Sequence, residues 1–66
     1  MKINETLRDA LILKYQGDIA TAKANISVYL TNPAGIGDHP DLISAIDTEM
    51  DKAAEAWDKL TFLENE

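Results

Sequence analysis

Sixty-six residues make one small domain at most, and a chain this short buries a low fraction of its surface, so a lone hairpin is expected to be marginal without a staple or a partner. The absence of cysteine excludes disulfides and thiolate metal sites, and the single histidine, His39, excludes a multi-histidine metal site within one chain. Twelve acidic against six basic residues, a net charge of −6, disfavour direct contact with nucleic acid or anionic lipid, which leaves self-association as the expected stabiliser.

Along the chain, Asn4 is suited to cap a first helix over about 4–31. The helix is expected to stop near Thr31, because Asn32 precedes Pro33 and is pushed out of the α region. Within it stands Gly17, which costs about 1 kcal/mol relative to alanine in a helix interior. A turn at Gln16-Gly17-Asp18 is the alternative. Periodicity argues for an unbroken helix: Ile12, Ile19 and Ile26 recur at seven residues, as do Tyr15, Ala22 and Tyr29, with no change of phase at Gly17.

Four of the five glycines and prolines fall between Pro33 and Pro40, which marks a connector over 32–38. Gly35 and Gly37 suit a bend there, with Ile36 closing the end of the hairpin or, with His39, forming a recognition point. Asp38 is the expected cap of a second helix over about 39–63, with Asp41 three residues on and Pro40 in the first turn. In that helix Ile43, Met50 and Trp57 form one row, and Ile46, Ala53 and Leu60 another. Laid antiparallel, the two helices pair Tyr29 with Ile43, Ile26 with Ile46, Ala22 with Met50, Ile19 with Ala53, Tyr15 with Trp57, and Ile12 with Leu60. The fold expected is an all-α, long antiparallel two-helix hairpin, one domain over 1–66.

The outer face of helix two is polar, with Phe62 as the exception, but helix one carries Leu7, Leu13, Gly17, Ala20, Ala24 and Val28 outside the seam. Small residues at steps of three and four let another helix approach closely. These six residues are therefore the candidate interface, most simply of a homodimer forming a four-helix bundle.

Chemistry has little to draw on. His39 beside Asp38 and Asp41 reads as part of a capping segment rather than as a base or a ligand. Asp47, Asp51 and Glu55 follow at steps of four, a spacing mildly unfavourable for like charges, and form a solvated face or a mark for a basic partner. Gly35-Ile36-Gly37 matches neither phosphate-loop pattern. No catalytic, cofactor-binding or metal-ligating residue is expected, and the chain reads as non-enzymatic. No signal-like apolar run follows Lys2, and no stretch nears the roughly 20 apolar residues of a membrane span, so a cytoplasmic location is expected.

Tyr15-Gln16-Gly17-Asp18-Ile19-Ala20, Ala22-Lys23-Ala24-Asn25-Ile26 and above all Asn32 to Asp41 resemble small uncharacterised proteins of contractile-tailed phages, including phages of marine cyanobacteria. The similarity covers roughly residues 14–60 and extends, more weakly, to a small helical protein encoded beside a phage recombination helicase. It implies a helical hairpin in the host cytoplasm and an accessory role linked to phage DNA recombination or replication, with no catalytic residues to carry over. Two functions follow as expectations. One is a protein-interaction module with an unknown protein partner; the alternative is an acidic decoy occupying the nucleic-acid-binding surface of a host or phage protein.

Overall fold

A computed structural model of the chain describes residues 3–31 and 41–66. The connector, including Ile36, His39 and the expected cap Asp38, lies outside the described residues. Two helices, α1 (Glu5–Thr31) and α2 (Leu42–Glu64), pack against each other as a helical hairpin, and the described residues contain no strand.

The first helix begins where its cap predicts. Asn4 Oδ1 accepts the Leu7 backbone N–H at 3.0 Å, satisfying one of the donors a helix start leaves open. The helix then runs through Gly17 to Thr31 without interruption. At the start of α2 the capping residue is Asp41 rather than Asp38. Its carboxylate accepts the Ser44 N–H at 2.9 Å and the Ser44 hydroxyl at 2.7 Å, and these two bonds fix the helix start at Leu42.

The seam differs from the expected one on α2 alone. On α1, both rows face inward: Ile12, Ile19, Ile26, Tyr15 and Tyr29 are half-buried, and Ala22 is 1% exposed. On α2, Ile46, Ala53 and Leu60 are half-buried as expected, but their companion row is Leu42, Glu49, Ala56 and Leu63. Ile43, Met50 and Trp57 lie outside, at 80%, 55% and 63% exposure. The expected pairings of Tyr15 with Trp57, Ala22 with Met50 and Tyr29 with Ile43 are therefore replaced. One row of helix two is kept and the other is replaced by its neighbour one residue back, so the inward face is turned by about 50°.

The cause is close approach. The buried apolar side chains among the described residues are Ala22, Ala45, Ala56 and Leu63, three of them alanines. Alanine at a crossing shortens the distance between helix axes, and the large side chains then flank the contact line rather than fill it. Arg8 ties the start of α1 to the end of α2, donating from Nη1 to the Leu63 carbonyl oxygen at 2.8 Å. That carbonyl belongs to the last turn, where a cation is favoured by the helix dipole.

The result is a rod of 46 × 16 × 14 Å with a radius of gyration of 15.0 Å, against about 11 Å for a compact domain of this length. A Cβ built on Gly17 meets nothing within 4 Å. Gly17→Ala should therefore raise stability by about 1 kcal/mol, a gain of about 4–8 °C in melting midpoint measured by circular dichroism; an unchanged or lower midpoint counts against a regular helix at that position.

Candidate functional site: two grooves flanking an alanine seam

Because alanines line the seam, the two helices leave a groove along each side. The two grooves differ in chemistry.

The polar groove has a volume of about 280 Å³. Asp18, Thr21 and Asn25 of α1 face Glu49, Lys52, Glu55 and Lys59 of α2 across a floor of Ala22 and Ala56. Its carboxylates are engaged by lysines one helical turn away. Lys14 pairs with Asp18 at 2.9 Å, Lys52 with Glu49 at 3.3 Å, and Lys59 with Glu55 at 3.1 Å. The hydrogen bond from Lys14 to Asp18, reinforced by the carboxylate's charge, holds the Lys14 ammonium above its ordinary range. Lys59 also lies 6.0 Å from the centre of the Tyr15 ring, the outer limit of a cation–π contact. The ring that was expected to meet Trp57 meets an ammonium instead.

Glu49 is the anomaly. It occupies a seam position with 6% exposure, and its Oε2 has no hydrogen-bond partner. A buried carboxylate oxygen left without a donor costs about 1–3 kcal/mol or more.

The apolar groove, about 320 Å³, lies on the opposite side of the seam. Ile19, Lys23 and Ile26 of α1 and Met50, Ala53, Ala54 and Trp57 of α2 line it. Ile19 and Ala53, an expected pair, do come together here. Lys23 is the one charged residue of that lining. Ile43, the most exposed large apolar side chain among the described residues, continues the row of Met50 and Trp57 toward the start of α2.

The six α1 residues singled out from the sequence, Leu7, Leu13, Gly17, Ala20, Ala24 and Val28, are all exposed. Five of them fall within about 80° of arc on the side turned from α2, while Leu7 lies outside that strip. They form a shallow ridge on one helix. The apolar groove, by contrast, gathers larger side chains from two helices into a concavity. Sequence reasoning placed Met50 and Trp57 in the core and so missed them as surface; the residue that hid the true seam was Glu49, which makes its row read as polar. Among the described residues no three His, Asp or Glu side chains are grouped to hold a metal ion, and no helix is long and apolar enough to cross a membrane.

Replacing Glu49 with leucine, close in volume and without a carboxylate to desolvate, should stabilise the hairpin by about 1 kcal/mol or more. Thermal melts of Glu49→Leu test this, and a fall in midpoint would show that the carboxylate supports the seam. Comparison with protein-family models, with curated proteins and with solved structures gives no match for this chain.

Proposed function

We propose that the protein is a non-enzymatic interaction module, an antiparallel helical hairpin that receives helices of a protein partner along its apolar groove and so completes a four-helix bundle. The observation that carries this reading is the inversion of the usual distribution of side chains. Alanines occupy the seam, while Ile43, Met50 and Trp57 lie outward in one row. Large apolar and aromatic side chains gathered in a concavity are the usual anchors of a protein interface. Helical partners fit such a groove because their own side chains recur at the same three- and four-residue steps.

The acidic-decoy reading has less support. Asp47 and Asp51 are exposed, but Glu55 of the same row is paired with Lys59, and the polar groove holds lysines beside its carboxylates. A surface imitating nucleic acid needs unbalanced negative charge. The phage accessory role implied by the sequence resemblance is compatible with an interaction module and enters the proposal only as a choice of lysate.

The test is affinity capture from phage-infected host lysate with the parent and with a Met50→Glu, Trp57→Ala double variant as baits. The partner should be retained by the parent at high salt and reduced at least tenfold with the variant, whose helix content is checked by circular dichroism. Equal retention by a folded variant rules out the groove as the contact.

A further inference from the structure

The occupant of the apolar groove can be named from the geometry of α2, and the argument rests on the interaction face proposed above. We infer that it is a second copy of this chain, docked about a two-fold axis so that α2 crosses the partner's α2 in the opposite direction. Three observations carry this.

The first is area. A compact monomer of 7.3 kDa exposes about 4,200 Å². This chain exposes 5021 Å², a surplus of about 800 Å². That surplus equals what one partner contributes to an interface of standard size. Two rods laid side by side recover it.

The second is self-complementarity. The row Ile43, Ile46, Met50, Ala53, Trp57 and Leu60 advances by steps of three, four, three, four and three, which read the same in both directions. A two-fold axis near the midpoint between Met50 and Ala53 therefore sets the row against itself. Ile43 meets the partner's Leu60, Ile46 meets the partner's Trp57, and Met50 meets the partner's Ala53. The small residue lies opposite the flexible large one at the centre, as close packing requires. Ile46, Ala53 and Leu60 are half-buried against α1, so this row serves two contacts at once, as the inner row of a four-helix bundle does.

The third is charge. Each copy carries −6, so an association through acidic surfaces would be opposed. The lining of the apolar groove holds one charged residue, Lys23, which keeps the carboxylates out of the contact.

Sedimentation equilibrium of the full chain, read together with emission of its single tryptophan, tests the inference. The expected result is a dimer with blue-shifted Trp57 emission that moves to the red on dilution. Ile43→Lys, at a position open to solvent in the hairpin, and Met50→Glu should each weaken association by about a hundredfold. Ala20→Glu with Ala24→Glu, on the outer ridge of α1, should leave it within about threefold. Raising salt should tighten association or leave it unchanged, because like charges are being screened. Loss of helix in Ile43→Lys that is regained at high concentration also supports the inference, since association and folding are then linked. A parent that is monomeric at hundreds of micromolar overturns it, as does dissociation caused by the Ala20 and Ala24 changes but not by Ile43→Lys. If the parent is monomeric yet still captures a protein through Met50 and Trp57, the second copy is eliminated and the interaction face stands.

Discussion

The close approach of α1 and α2 at Ala22, Ala45 and Ala56 determines the rest of the molecule. Short side chains at the contact draw the helices together and leave no room between them for Ile43, Met50 or Trp57. Those residues are displaced to one flank and the polar side chains to the other. The apolar groove, the polar groove and the exposed position of Trp57 are therefore consequences of one packing choice.

That choice explains what could be read from the sequence. The cap of α1 and the continuity through Gly17 were legible because each depends on local chemistry: Asn4 on the N–H of Leu7, seven-residue spacing on helical period. The inward face of α1 was legible too, since its other outward positions do not form a competing row of isoleucines and tyrosines. On α2 two overlapping rows share Ile46, Ala53 and Leu60, and composition favours the wrong one. Ile43, Met50 and Trp57 are more apolar than Leu42, Glu49, Ala56 and Leu63. Hydrophobicity predicts which residues avoid water, but not which of two contacts removes them from it. The start of α2 was misplaced for a smaller reason. Asp38 and Asp41 both suit a cap, and only the bonds of Asp41 to Ser44 separate them.

The polar groove completes the contrast. Its lysines and carboxylates are paired along single helices, at three- and four-residue steps. The two exposed pairs, Lys14 with Asp18 and Lys59 with Glu55, contribute little to stability, typically below about 1 kcal/mol each. Their effect is to keep that side of the rod hydrated, so that the two faces of the hairpin differ in what they can touch.

Glu49 also limits how the helices can slide. The inward rows of α1 read Ile12, Tyr15, Ile19, Ala22, Ile26 and Tyr29, so Ala22 is the one small side chain among them. Glu49 and Ala22 line the same groove from opposite helices. A slip of one heptad in either direction would set Glu49 against Tyr15 or Tyr29, where a ring takes the space that Ala22 leaves open. Glu49 thus behaves as a locating pin: it weakens the fit it permits and forbids the neighbouring ones, so that a repeating pattern closes in one alignment.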